Sequence, residues 1–113
     1  MTTSFSVVIP AFNSALSIEF AIYSCLNQSL KPYEIIVIDD CSNDNTANIV
    51  RDIQGRVESE TLVRLLSTCC NSGPATARNL GWKVAIGDYI AFLDSDDQWH
   101  PLKLEYIHAI LHK

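Results

Sequence analysis

Three carboxylates stand within four positions at Asp94-Ser95-Asp96-Asp97, directly after the apolar run Ile90-Ala-Phe-Leu93. The apolar half reads as a buried strand, and the acidic half cannot be buried without a partner. Desolvated like charges this close repel by a few kcal/mol at an effective dielectric near ~20, so water or a bound cation must compensate them. Two readings follow, a solvated acidic turn after a strand or a site for a divalent cation. What the other elements bring to the same place decides between them.

Four β-branched or apolar runs read as strands: Phe5–Ile9, Glu34–Ile38, Leu62–Leu66, where Arg64 interrupts the pattern, and Asp88–Leu93. Helical patterns alternate with them. Ser14 is a candidate N-cap for a helix whose Ile18, Ala21, Ile22, Cys25 and Leu26 share one face, ending near Gln28 or Ser29. The polar segment Cys41–Thr46 starts a second helix, with Ala47, Ile49, Val50 and Ile53 inward and Gly55 at its end. Gly73-Pro74 opens a third that runs through Trp82, Val84 and Ala85 to Gly87, and Pro101 opens a last one with Leu104, Ile107, Ile110 and Leu111 on one face. Strand and helix repeated in this way predict a single α/β domain over residues 1–113, a Rossmann-like, mainly parallel four-stranded sheet with helices on both faces.

Ligands bind such sheets outside the carboxyl ends of the strands. Those ends carry Pro10-Ala11-Phe12-Asn13, Asp39-Asp40, the Asn71-Ser-Gly73 loop and the acidic turn, so the unusual polar residues converge on one rim. Hard divalent ions such as Mg²⁺ or Mn²⁺ bridge carboxylates to phosphates. The helix start at Gly73-Pro74 offers amide donors to an anion, with Arg78 one turn further on. Phe12 presents an aromatic face and Asp40 an acceptor for a base edge, which suits a nucleotide. Each has a plainer alternative: Asp39 receives the amides of its own loop, Phe12 packs on the sheet edge, and Arg78 forms an ordinary salt bridge. Asp96 and Asp97 are the hardest to explain by stability alone.

Composition bounds the rest. With 48% hydrophobic and 19% charged residues, a net charge of −5 and scattered basic residues, the chain is globular and lacks the basic footprint of a nucleic-acid binder. No G-x-G-x-x-G follows the first strand, and neither G-x-x-x-x-G-K-[ST] nor G-x-S-x-G is present. Cys25, Cys41, Cys69 and Cys70 lack disulfide or zinc spacing and are expected reduced, and His108 and His112 have no third ligand nearby. No cationic leader or membrane-length apolar run is expected, so the predicted location is the cytoplasm, with peripheral attachment at the inner membrane face left open.

Taken together, Pro10-Ala-Phe-Asn13, Glu34-Ile-Ile-Val-Ile-Asp-Asp40 with Ser42 and Asp44, Asn71-Ser-Gly73, Ala77-Arg-Asn79 with Gly81, and Gly87-Asp-Tyr-Ile-Ala-Phe-Leu-Asp-Ser-Asp-Asp97 resemble, in order and spacing, the family 2 glycosyltransferases of GT-A fold. The resemblance implies a half-domain that binds a nucleotide-sugar, usually a UDP-sugar, with Mn²⁺ or Mg²⁺ held against the diphosphate by an Asp-x-Asp motif. Carried over by position, Pro10, Ala11, Phe12 and Asn13 belong to the nucleotide pocket with Asp39, Asp40, Arg78, Asp94, Ser95 and Asp96. Asp40 is placed at the uracil, and the metal ligands fall among Asp94, Asp96 and Asp97. Cys41 stands where the family commonly has glycine.

Members of that family continue into an acceptor-binding half that carries the catalytic base of an inverting transfer. This chain ends at Lys113, so donor binding with little transfer is expected of it. Two other readings stay open: a nucleotide-binding or dimerising module that pairs through an exposed sheet edge, and a receiver-like phosphoacceptor, whose acidic pair normally follows the first strand instead of the second.

Overall fold

Val7, Val8 and Ile9, and likewise Ile35 through Ile38, are fully buried, as consecutive residues must be in strands covered on both faces. The computed structural model describes residues 3–112 and orders them as β1 (Phe5–Ala11), α1 (Ile18–Leu26), β2 (Glu34–Asp39), α2 (Thr46–Arg56), β3 (Leu62–Ser67), α3 (Pro74–Val84), β4 (Tyr89–Phe92) and α4 (Lys103–Leu111). All pairings are parallel and the strand order is β3-β2-β1-β4. The chain therefore steps outward from β1 to β3 and then returns to β1's other side. The crevice at that reversal lies between the carboxyl ends of β1 and β4.

One face of the sheet, with Val7, Ile9, Ala11, Ile35 and Val37, packs on α1 and α2 through Ile18, Ile22, Cys25, Val50 and Ile53. The other, with Val8, Ile36 and Ile38, packs on Ala77, Leu80 and Val84 of α3. That is the two-sided α/β arrangement the alternation predicts. A Cβ at Gly81 would run into Val8 Cγ1, so glycine lets α3 sit close over β1. Burial pushes the Cys25 thiol up to about 12 against a smaller opposing effect of its hydrogen bond with Ser24, and this cysteine acts as a small hydrophobe in the core.

Several boundaries differ from expectation for identifiable reasons. β1 runs through Pro10 to Ala11 instead of stopping at Ile9. Ala11 turns its carbonyl to β2, where it accepts from Asp40, and Val8 turns its carbonyl to β4, where it accepts from Leu93. By alternation Pro10 also faces β4, which has already ended, so its missing N–H breaks no ladder. The fourth strand is shorter than Asp88–Leu93, and α3 ends at Val84, three residues before Gly87, because Ala85 is extended. Helix α2 passes Gly55 and ends at Arg56.

The expected apolar stripe of α4 is not packed: Leu104 is buried, but Ile110 is 71% exposed and Leu111 is 42% exposed. The helix meets the rest of the fold mainly at its start. There Gln28, itself buried, accepts the Leu104 N–H at 3.0 Å and donates to the carbonyls of Ser24 and His100. Among the described residues no helix is long and apolar enough to cross a membrane, and all four thiols are free.

At the amino ends of the strands lies a buried polar cluster that sequence reading did not anticipate. Glu34 is fully buried; its Oε2 accepts from Ser6 Oγ at 2.6 Å and from the Ile86 N–H at 2.7 Å, and its Oε1 accepts from Arg64 Nη1 at 2.8 Å. Ser6 Oγ in turn accepts the Gly87 N–H at 2.8 Å. The Arg64 that interrupts the β3 pattern is thus the counter-ion of Glu34, and the cluster joins three strands to the segment before β4.

Candidate functional site

At the carboxyl ends of the strands the loops are tied together by side chains. The first loop and the one after β2 exchange four hydrogen bonds: Asn13 N–H to Ser42 Oγ (2.9 Å), Asn43 N–H to Asn13 Oδ1 (2.8 Å), Ser14 N–H to Thr46 Oγ1 (2.8 Å) and Ala15 N–H to Asp44 Oδ2 (3.1 Å). Asn13 holds φ 49°, a left-handed conformation that asparagine tolerates better than most residues. On the other side Asp40, 3% exposed, closes β2 onto the start of α3. Its Oδ1 accepts from Thr68 Oγ1 at 2.7 Å and from the Ser72 N–H at 2.9 Å, and its Oδ2 accepts from the Gly73 N–H at 2.8 Å. Burial alone would raise the Asp40 carboxyl, but these bonds favour the anion and hold it below the usual carboxylate range.

Gly73, at φ 92°, permits the turn that points these amides at Asp40. Cys41, in the position where the resemblance expects glycine, adopts φ 63° and so preserves the glycine-like turn with a side chain in place. A non-glycine residue there carries about 1–2 kcal/mol of strain, while glycine gives back roughly 0.4–1 kcal/mol through the unfolded chain. Cys41→Gly should therefore melt in urea within ~1 kcal/mol of wild type, on the stable side, whereas Cys41→Val should lose about 1–2 kcal/mol because a β-branched residue resists this conformation.

Between the two tied rims opens a cavity of about 590 Å³. Pro10, Ala11, Phe12 and Asn13 from the first loop line it together with Asp40, Asp94, Ser95 and Asp96. Eight of the expected site residues thus meet at one cavity, joined by Asn71 and Pro74 from the rim segment before and at the start of α3. Asp39 does not line it; its carboxylate faces its own turn and accepts the Ser42 N–H at 3.2 Å. Arg78 stands half-buried on α3, whose Pro74 and Ala77 line the cavity, and it forms no ion pair among the described residues. Phe12 is 44% exposed, so it is not packed away on the sheet edge.

Asp94, Asp96 and Asp97 each bring one carboxylate oxygen within 4.8 Å of the others, all solvent-exposed. Oxygen donors with full negative charge suit a hard divalent ion, so the residues fit Mg²⁺ or Mn²⁺. Sequence reading missed Ser14, Ser17 and Ala77, which also line the cavity. Ser14 was expected to cap α1, yet its hydroxyl points across to Ser95 Oγ at 2.6 Å while Ser17 takes the cap position without a side-chain bond. A second groove of about 510 Å³ lies at the far ends of α1 and α2. Of the two cations lining it, Arg56 is already paired with Glu19 and Asp52, and Lys31 donates to the Leu26 carbonyl at 2.8 Å.

Comparison with known proteins agrees with this arrangement. The family model described as glycosyl transferase family 2 matches residues 6–113. The amylovoran biosynthesis glycosyltransferase AmsB of Erwinia amylovora is 41% identical over 103 residues, covering 90% of this chain and 34% of AmsB. A crystal structure of S. aureus TarS in complex with UDP-GlcNAc superposes with a TM-score of 0.86 at 32% identity, over 97% of this chain and 31% of that one. The mannosyltransferase PcManGT from Pyrobaculum calidifontis, in complex with GDP-Man and Mn²⁺, gives a TM-score of 0.80 at 26% identity, over 88% of this chain and 30% of that one. The chain therefore spans about a third of the length of these relatives. With a family match over nearly its whole length, the chain belongs to glycosyl transferase family 2.

Proposed function

We propose that this chain is the donor-binding half of an inverting glycosyltransferase and binds a nucleotide-sugar, a UDP-sugar by preference, with the help of Mn²⁺ or Mg²⁺. The observation that carries the reading is the single cavity lined by Asp40 and Phe12 together with Asp94, Ser95 and Asp96, beside which Asp97 completes the carboxylate cluster without lining the cavity. The ligands of TarS and PcManGT, UDP-GlcNAc and GDP-Man with Mn²⁺, support it by analogy.

In this reading Phe12 gives the base a face to stack on, and Asp40 accepts a hydrogen bond from its edge with the one lone-pair position of Oδ2 that Gly73 leaves open. Asp40 is assigned the base edge because its three present bonds fix the carboxylate before any ligand arrives. Asp39 shapes the loop that meets the nucleotide, and Arg78, one turn into α3 from the cavity-lining Pro74, is assigned to the phosphates although it does not itself line the cavity. Asp94, Asp96 and Asp97 would hold the divalent ion, which when bound neutralises the diphosphate and stabilises it as a leaving group. Transfer breaks the bond between the anomeric carbon and the diphosphate as an acceptor oxygen attacks from the opposite side, and the acceptor proton passes to a base. We assign that base to no residue of these 113, and expect donor binding with little turnover from them alone. A cytoplasmic setting, at the inner face of a membrane for a lipid-linked acceptor, suits this chemistry.

Calorimetry of UDP in Mn²⁺ and in EDTA tests the reading: tighter binding in Mn²⁺ is expected, and equal or undetectable binding in both would contradict it. A second reading, assembly with another copy, is favoured by Ile86, Tyr89 and Phe92 standing exposed on and just before the edge strand β4. Light scattering at tens of micromolar should then give a dimer, and a monomer would count against it.

A further inference from the structure

A serine hydroxyl that is nearly buried keeps a hydrogen-bond partner. Ser14 is 8% exposed, and its hydroxyl lies 2.6 Å from Ser95 Oγ and 3.3 Å from the Phe12 carbonyl. Its own N–H donates to Thr46 Oγ1 at 2.8 Å, and the Thr46 hydroxyl donates to Asp44 Oδ1. Asp44 also accepts the Thr46 N–H at 3.0 Å and the Ala15 N–H at 3.1 Å. A continuous series of bonds thus runs from the start of α2, through the first loop, to the middle residue of the acidic turn.

That turn has little else to hold it. Its three aspartates are exposed, and apart from the Ser95 bond the turn's own hydrogen bonding among the described residues is the Asp97 N–H to the Asp94 carbonyl at 3.0 Å. Mutual repulsion of three carboxylates favours a splayed turn, whereas cation binding requires a gathered one. We propose that Ser14 is a positioning residue for the cation site: through Ser95 it fixes the acidic turn against the first loop, so that the carboxylates converge before a metal arrives. The inference rests on the reading of this turn as a cation site. Partners that orient ligands in this way typically change metal affinity about 10–100-fold when removed, and Ser14 acts one residue further back, so the lower end is expected.

The test is UDP affinity, by chemical-shift titration in EDTA and in Mg²⁺, for the wild type, Ser14→Ala, Ser95→Ala and the double variant, beside their melting temperatures. The wild type should bind more tightly in Mg²⁺. Each single variant should lose about tenfold of the Mg²⁺ enhancement, taken as the ratio of its own Mg²⁺ and EDTA affinities, and the double should lose no more of it than the singles, since one bond is removed in every case. Full Mg²⁺ enhancement in Ser14→Ala overturns the proposal. An equal loss in EDTA and Mg²⁺ also overturns it, because that is the mark of a direct nucleotide contact or of a damaged fold. A wild type without any Mg²⁺ enhancement removes the cation reading itself, and this proposal with it.

Discussion

Replacing Glu34 by alanine is expected to lower the stability of the fold by about 3 kcal/mol, the largest effect of any single polar substitution proposed for this chain. Glu34 is fully buried and takes hydrogen bonds from Ser6, Ile86 and Arg64. Its removal strands the buried Ser6 hydroxyl and separates β1, β2 and β3 from the segment before β4. Arg64, 29% exposed at its side chain, can turn to water, which keeps the loss at the lower end of the range for broken buried pairs. Glu34→Gln should lose about 1.5–3 kcal/mol, because the amide sets an N–H₂ group against donors that need an acceptor.

The same residue gives the stability a pH dependence. Burial by itself would raise the Glu34 carboxyl from 4.5, but the bonds from Ser6, Ile86 and Arg64 lower it overall, and the Asp40 carboxyl is likewise lowered from 3.8. A carboxyl lowered in the folded state contributes its stability in full above its unfolded value and loses it as pH falls through the folded value. Wild type should therefore weaken steadily below pH 4.5, and Glu34→Gln should show a shallower loss over the same interval. Urea unfolding between pH 3 and pH 7 reads both slopes; parallel curves for the two proteins would show that Glu34 is not the group responsible.

The acidic turn should respond with the opposite sign. Asp94, Asp96 and Asp97 are exposed and carry only mutual repulsion in the absence of a cation. Asp96→Asn combined with Asp97→Asn is expected to melt at or slightly above wild type. The same variant should lose more than about tenfold, ~1.4 kcal/mol, of its UDP affinity in Mn²⁺ while its EDTA affinity barely changes. Stability retained or gained as binding is lost is the behaviour of residues kept for function at a small cost in stability. Unaltered Mn²⁺-dependent binding in the double variant would remove these two carboxylates from the site.

What the sequence revealed follows from which effects are local. Strand and helix periods, and the termination of each strand in polar residues, are written in neighbouring positions, so the parallel sheet and the shared rim of Phe12, Asp40 and Asp94–Asp97 were legible. Partnerships across elements were not. Ser14 precedes α1 at a spacing that fits an N-cap, and nothing local says that its hydroxyl turns to a serine 81 positions away. Glu34 and Arg64 each look like a blemish in an apolar strand until the parallel register places Arg64 opposite Ile36, two residues along from Glu34. Pro10 reads as a strand terminator because its missing donor matters only if a neighbour is present, and β4 has ended by then. The bare face of α4 was hidden for a related reason: periodicity marks Ile110 and Leu111 as apolar without saying whether anything covers them.

One cavity is proposed to hold a nucleotide beside a divalent cation at the acidic turn. Paramagnetic broadening by Mn²⁺, read amide by amide with and without UDP, tests it most directly. Selective broadening is expected, centred on Asp94 to Asp97, reaching Ser14 and Phe12, and strengthened by UDP, with Glu34, Ile86 and Gly87 at the opposite end of the strands untouched. Broadening centred elsewhere, or UDP binding that leaves the Mn²⁺ effect at the acidic turn unchanged, would contradict it.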